Sequence, residues 1–498
     1  MYERRAVVGG AAVTEEFHPG FRNSTASYTV SLLHPTVIRD LRLAEHGLRI
    51  VERPVQNFLP LPGGDGFRAG PGLAATIAEL KRFSPRDAER LPDYHAMLDR
   101  AVALLKSLLM KTPPTDLGRW RDLWAVLAVG REFRGLPLKV QREVHAIFTR
   151  SAGELLDHWF ESDPVKALFG FDSVVGNYAS PCTPGSAYVL LHHAFGEVNG
   201  KPGAWGHALG GMGAITEAMA REAERLGVRI EREAPVRRVL VQAGRVTGVE
   251  LADGRVVAAT RVAANIGPKL LFLKLVDRAD LPADFVAHMK TWRCNSATFR
   301  MNVALSALPD FAYRPPAGQS PTDHLAAGII IGPSLSYLDR AFADARLHGM
   351  SREPVIEMLI PSLLDDSLAP RGAHVASLFC QHFDYHLPEG RSWHDARDEA
   401  ANLVIDTVTR HAPNFRASVI GHLALSPLDL EERFGLTGGD IFHGALGLDQ
   451  LWAARPALGY GDYRTPIKGL YLCGAGAHPG GGVTGIPGYN AAREILRG

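Results

Sequence analysis

Cysteine is scarce in this sequence of 498 residues. Cys182, Cys294, Cys380 and Cys473 are the only four, far apart, with no Cys-x-x-Cys pair and no Cys/His cluster at zinc spacing. A disulfide framework, a structural metal and dithiol–disulfide chemistry are therefore unsupported, and a reducing compartment fits best. An excess of charge of one sign is also missing, since 54 Lys+Arg against 53 Asp+Glu leave a net +1. Interleaved charges of that kind set up no long-range field that would gather nucleic acid or an anionic membrane surface. Long apolar runs are absent as well: even Ala101–Met110 is broken by Lys106, whereas a spanning helix needs about 18 such residues or more. The N-terminus, Met1-Tyr2-Glu3-Arg4-Arg5, runs at once into Gly9-Gly10 without the apolar stretch of a secretory signal. A cytoplasmic location is the expectation. Gly-x-Ser-x-Gly, Walker A and His-Glu-x-x-His patterns do not occur, which removes serine-hydrolase, P-loop and zincin chemistry.

What is present is an ordinary globular composition, 46% hydrophobic and 21% charged. The chain exceeds the roughly 250–300 residues at which one core stops growing, so two or more lobes are expected. Its 51 Gly and 33 Pro punctuate periodic segments, marking turns rather than a disordered tail. Extended stretches around Leu48–Pro60 turn at Pro62-Gly63-Gly64-Asp65-Gly66, which is hairpin chemistry. From Leu73 to Ala152 apolar residues recur at helical spacing, with a break at Thr112-Pro113-Pro114, and a mostly helical block is predicted. Val228–Glu231, Val236–Val241, Val246–Leu251 and Val256–Ala263, turned at Ala243-Gly244 and Asp253-Gly254, read as one small antiparallel sheet. Short strands at Thr298–Ala304, Val355–Leu359 and Val375–Phe379, with a helix over Asp395–His411, read as a second, mixed lobe.

Glycine carries the strongest functional signal. The apolar strand Lys468–Cys473 delivers Gly474-Ala475-Gly476 and then His478-Pro479-Gly480-Gly481-Gly482 to a helix predicted from Val483 to Leu496. Six glycines between Gly474 and Gly485 exceed what a turn needs. So many missing Cβ atoms point to something large lying against the backbone, such as an isoalloxazine ring, the alternative being a tight turn with no ligand. A helix start reached this way also offers free N–H groups to a phosphate. A second cluster, Gly210-Gly211-Met212-Gly213, opens a helix without a preceding apolar strand, and its run ends at Thr216 where a dinucleotide pattern needs Gly. Close packing on a neighbour and ligand contact stand there as equal alternatives. His207, His443 and His478 lie in glycine-rich loops, where a functional role competes with a solvated or locally bonded side chain. His192-His193 fall on a predicted helix and read as structural.

Four segments are distinctive together. They are Glu3-Arg4-Arg5-Ala6-Val7-Val8-Gly9-Gly10-Ala11; Gly210-Gly211-Met212-Gly213-Ala214 with the later Ala234-Pro235-Val236; Gly439-Asp440-Ile441-Phe442-His443-Gly444; and Tyr463-Arg464-Thr465-Pro466 running through Gly469–Gly476 to Pro487-Gly488-Tyr489-Asn490-Ala491-Ala492. In these the chain resembles the phytoene-desaturase-like branch of the flavin amine oxidase superfamily, most closely the pyridine nucleotide-disulphide oxidoreductase domain-containing protein 2 group. The resemblance implies an α/β (α+β mixed) flavoprotein of two lobes. A Rossmann-like FAD-binding lobe would take residues 1–75, 205–275 and 440–498, and an inserted substrate lobe residues 76–204 and 276–439. It implies that Glu3 hydrogen-bonds the ribose of FAD, that Arg4, Arg5 and the Gly9-Gly10 turn lie along the cofactor, and that the backbone of Val236 meets the adenine. Gly474, Gly476, Gly482 and Val483 would bring the last helix N-terminus to the flavin's carbonyl edge or pyrophosphate. His443, His478 and Tyr489 are the candidates for lining the ring.

The activity implied is removal of hydride from an apolar substrate such as a polyene or an isoprenoid-like molecule, which suits a sequence without an evident acid–base dyad. One departure stands out. A dinucleotide fold places a strand, a Gly-x-Gly-x-x-Gly turn and a helix before the ribose-binding acid, about 20 residues ahead of it, yet only Met1 and Tyr2 precede Glu3. The first βα unit of the Rossmann sheet is thus missing. A start assigned too late is the expectation, the alternative being a cofactor-free remnant that acts as a non-catalytic binding or interaction protein. Peripheral membrane contact through Leu104–Met110 is a further alternative, with core packing favoured for that stretch.

Overall fold

Period-two alternation builds the largest element. The computed structural model, which describes residues 1–116, 118–316 and 320–497, buries every residue of the strand Thr298–Leu305. Phe299, Met301, Val303 and Leu305 join one apolar cluster, while Arg300 and Asn302 point to the other face, as successive side chains on a pleated strand must. Asn302 is satisfied there, accepting from Asn23 Nδ2 at 2.8 Å and donating to the Ser24 carbonyl at 3.0 Å. Burial on both faces puts this strand inside a seven-stranded sheet. The order across it is Val419–Leu425, Thr298–Leu305, His374–Phe383, Met350–Leu359, Gly328–Ile331, Asn57–Pro60 and Gly66–Ala69. All neighbours are antiparallel except Gly328–Ile331 with Asn57–Pro60. The hairpin Asn57–Ala69 lies within the segment 1–75 but completes this sheet.

Each face of the sheet is covered by helices whose apolar residues recur at helical spacing. Trp393–His411 lays Trp393, Ala396, Ala400, Val404 and Val408 on one side. The other is covered by Pro85–Leu109 and Leu138–Thr149 of the predicted helical block and, beyond that block, by Ala152–Trp159, Asp163–Asp172 and Ser186–His193, with Ile330, Val355 and Phe379 of the sheet in the same core. Ser84 caps the helix Pro85–Leu109 by accepting from Asp87 N at 3.0 Å. The buried Asp87 carboxylate accepts in turn from the backbone of Glu161 and Ser162, tying this helix to the start of Asp163–Asp172. Leu104 and Leu105, partly buried, pack on the same core.

The sheet expected from residues 228–263 needs correction. Val236–Gln242, Arg245–Leu251 and Val256–Ala258 form its three antiparallel strands. Val228–Glu231 adds no strand to it, because Glu231 instead bridges in parallel to Tyr2. Val256–Ala263 divides at Ala259, and Val262–Ala264 pairs in parallel with Leu470–Leu472, some two hundred residues away. Short apolar runs carry no mark of their partner, so periodicity could not separate them. The last helix begins at Ile486 rather than Val483, since Val483 (φ +55°) and Gly485 (φ +72°) are left-handed. Among the described residues no helix is long and apolar enough to cross a membrane.

Candidate functional site

The parallel pair Val262–Ala264 and Leu470–Leu472 brings two strand ends together, and the glycines let them approach. A Cβ on Gly474 would stand 2.3 Å from Asn265 Oδ1, and one on Gly476 2.3 Å from the Pro268 ring. Gly482 (φ +105°) faces elsewhere: its Cβ would meet Leu32 at 2.5 Å and His192 Cε1 at 3.7 Å. Leu32 and His192 both line a cavity of about 130 Å³, with Leu109, Phe195 and Ile486 as apolar wall and Gly481 and Thr484 from the glycine segment. A space of that order admits one six-membered ring. Lys106 and Glu197, 4.0 Å apart and about one-third exposed, stand on its rim.

His192 is the residue that sequence reasoning missed. It is buried, yet its Nδ1 has no hydrogen-bond partner. Burial, with help from His193 and Arg455, pushes its pKa down to about 3, so the ring is neutral at ordinary pH. His193 is the structural one, bonding the Val189 carbonyl at 2.9 Å and stacking on Trp205. A signal was available: Tyr188, one turn before His192, lines the same cavity, which places both on one helix face. Also overlooked, Gly480, Gly482 and Gly485 spell Gly-x-Gly-x-x-Gly at the start of the last helix. The strand before them ends eight residues earlier, at Leu472, too far for a tight phosphate-binding turn.

Arg455 organises the loops beneath the glycines. Fully buried, it donates from Nε and Nη2 to the Ala475 carbonyl at 3.0 and 2.8 Å, from Nη2 to Phe442 and Gly444, and from Nη1 to Ala445 and Gln450. Its guanidinium also lies over the Trp292 ring at 5.6 Å. Nearby Asp440 is buried, accepts from Phe442 N at 2.8 Å and leaves Oδ2 unpartnered. Burial raises its pKa to about 6 against the pull of that N–H and of Arg455.

The residues expected to hold or line a cofactor are dispersed. Glu3 donates its N–H to the Glu231 carbonyl and accepts from Arg5 N. Arg4 caps the C-terminal carbonyls of the helix Pro427–Phe434. Arg5 pairs with Glu15 at 2.6 Å and covers Phe434, but its buried Nη1 has no partner. Gly9 (φ +121°) packs on Thr216, while Gly10 (φ +57°) faces open space. Val236 begins its strand opposite Leu251. Val483 joins an apolar cluster with Leu33 and Ile215. His443 is half-buried with its inaccessible Nδ1 unpartnered, and its carbonyl accepts from Trp292 Nε1. His478 reaches the Leu108 carbonyl at 3.2 Å and meets Trp452 edge to face. Tyr489 lies under Arg493, and its neighbour Asn490 faces inward to Tyr463 and Leu109. None of His443, His478 and Tyr489 lines the cavity. His207 is a structural pin, bonded to Asp365 at 2.9 Å. Gly211 and Gly213 press against Thr14, so close packing, not ligand contact, accounts for that cluster.

Residues 2–296, more than half of the chain, match the family described as flavin containing amine oxidoreductase. The chain is 41% identical over 517 residues to pyridine nucleotide-disulfide oxidoreductase domain-containing protein 2 of Rattus norvegicus, covering all of this chain and 89% of that protein. It is 25% identical to the phytoene desaturase (lycopene-forming) of Pseudescherichia vulneris, over 91% of this chain and 86% of that one. An oxidoreductase from Methanosarcina mazei of known structure superimposes with a TM-score of 0.61 at 15% identity, over all of this chain and 93% of the other, a likeness of fold.

Proposed function

This chain belongs to the flavin-containing amine oxidoreductase family, and from that premise we propose that it is an FAD-dependent oxidoreductase removing hydride from an apolar, polyene- or isoprenoid-like substrate held beside Gly482 and His192. One observation carries the reading. Gly482 borders a largely apolar cavity in which a neutral, buried imidazole has no partner of its own. Two buried nitrogens without a partner lie on residues this reading assigns to a cofactor, His192 Nδ1 to the ring end and Arg5 Nη1 to the nucleotide end. On this reading Gly474, Gly476, Gly482 and Val483 serve the ring end, and Glu3, Arg4, Arg5, Gly9, Gly10 and Val236 the nucleotide end. A bound flavin supplies the two-electron acceptor for hydride.

The chain's own contribution is position and dryness. Leu32, Leu109, Phe195 and Ile486 form an apolar wall against which one ring-sized end of such a molecule would rest. His192, held neutral, offers one hydrogen bond at Nδ1 that fixes the ligand without exchanging charge. The test is a visible absorption spectrum of the purified chain after incubation with FAD and gel filtration, followed by anaerobic addition of apolar polyenes. A flavin band that survives filtration and bleaches with polyene is expected. A chain that stays colourless, or a bound flavin that no apolar substrate bleaches, overturns the reading.

A further inference from the structure

Among the described side chains of the helix Trp120–Arg134, only Asp122 is buried. Trp120, Trp124, Leu127, Arg131 and Arg134 fall at intervals of four and three, so they form one stripe. That stripe faces water: Trp120 is 76%, Trp124 65% and Leu127 51% exposed. Two tryptophans side by side in solvent are an apolar patch that a monomer ordinarily covers. The helix's acids, in contrast, are turned toward the protein. Asp122 accepts from the backbone and hydroxyl of Thr115 and from Asp116 N, and Glu132 is held by Ser107 at 3.3 Å and Lys111 at 3.7 Å. Arg131 and Arg134 have no ion-pair partner among the described residues. The stripe itself is therefore aromatic and aliphatic at its first half and cationic at its second, with the exposed Glu132 to one side of it.

We infer that this stripe docks on a bilayer surface containing anionic phospholipid, with the helix lying in the plane of the interface. Indole rings settle at headgroup depth, and arginines beside them pair with phosphates. A second copy of the chain fits less well. Its matching stripe carries no carboxylate, so pairing would strip water from the guanidiniums without supplying a counter-charge. The placement also has a consequence. Ser107 and Lys111, which hold Glu132, close the helix whose Lys106 and Leu109 line the cavity. The docked helix is thus tied to the element that supplies part of the cavity wall. The inference stands apart from the reaction proposed above.

The test is co-sedimentation of the full chain with vesicles of phosphatidylcholine alone and of phosphatidylcholine mixed with phosphatidylserine. The chain is expected in the pellet with the mixed vesicles, and released as salt is raised. The double substitution Trp120→Ser/Trp124→Ser should abolish pelleting while leaving the thermal melt unchanged, since neither ring is part of the core. Arg131→Glu/Arg134→Glu should remove the preference for phosphatidylserine, by roughly fivefold in partitioning for each arginine lost. A wild-type chain that stays in the supernatant with both vesicle types overturns the inference, as does a tryptophan double variant that pellets like wild type. A lipid-free dimer in sedimentation velocity that the tryptophan variant returns to monomer overturns it in favour of a second copy.

Discussion

Arg455→Met is the substitution whose outcome the structure specifies most fully. Methionine keeps much of the stem's length and removes every donor. Five backbone carbonyls, of Phe442, Gly444, Ala445, Gln450 and Ala475, then lose their guanidinium partner in a buried site. Ala445 keeps a donor in Gln450 Nε2 at 3.4 Å; for the other four, at the low end of the cost of an unsatisfied buried group, about 1 kcal/mol each, the loss reaches about 4 kcal/mol. Relief from burying a cation returns part of that, leaving a net loss of about 3 kcal/mol. For a cooperative unit of 150–250 residues such a loss lowers the melting midpoint by roughly 6–12 °C, readable by scanning calorimetry. A pH signature accompanies it. Asp440 is protonated more readily in the fold than in the unfolded chain, so the fold binds the extra proton and stability falls as pH rises from about 4 to about 6. Arg455 opposes that shift, and its loss extends the falling window to higher pH, making the variant's deficit larger at about pH 8 than at about pH 5. A midpoint within about 2 °C of wild type at both pH values would refute the reasoning, because it would mean the carbonyls find other donors.

Other outcomes follow from the same geometry. His478 is held neutral by burial, its pKa lowered to about 3. From pH 6.5 downward the unfolded chain therefore binds a proton that the fold refuses, and stability drops with acid. His478→Gln should make the decline in melting midpoint between about pH 6 and pH 4 shallower, by about 1.4 kcal/mol per pH unit, and an unchanged slope would contradict the assignment. Gly476→Ala places a Cβ against the rigid Pro268 ring and is expected to cost about 1–3 kcal/mol. Gly10→Ala meets no atom within 4 Å but is strained at φ +57°, with an expected loss of about 1 kcal/mol, so chemical denaturation should rank the two in that order. His192→Leu removes no intramolecular hydrogen bond at Nδ1; the melting midpoint should hold within a few degrees while bleaching of bound flavin by an apolar substrate slows at least about tenfold. Equal bleaching rates would remove His192 from the site.

Local signals were legible wherever a residue's conformation depends on its near neighbours. The hairpin turn at Pro62–Gly66, the helices between Gly72 and Thr149 and the strand–glycine–helix order at the C-terminus all stand where periodicity and glycine placed them. The flavoprotein family was legible too, because its segments are short and self-contained. Arg455 gave no sign, since its partners are carbonyls, and a carbonyl has no letter in the sequence. That His443, His478 and Tyr489 stay out of the cavity was not legible for a related reason: a loop fixes that a side chain is near glycine, not which way it turns.

Sequence by itself determined the mixed α/β class, the period and length of most elements, and the family. Tertiary structure decided the pairing of Val262–Ala264 with Leu470–Leu472, the orphaned imidazole of His192 beside Gly482, and the exposure of Trp120 and Trp124. The physical reason is common to all three. Backbone periodicity is set within a few residues, whereas burial, hydrogen-bond satisfaction and strand partnership depend on segments that the chain brings together only when it folds. An amphipathic helix reads the same whether its apolar stripe meets a core or water, and only the fold shows which.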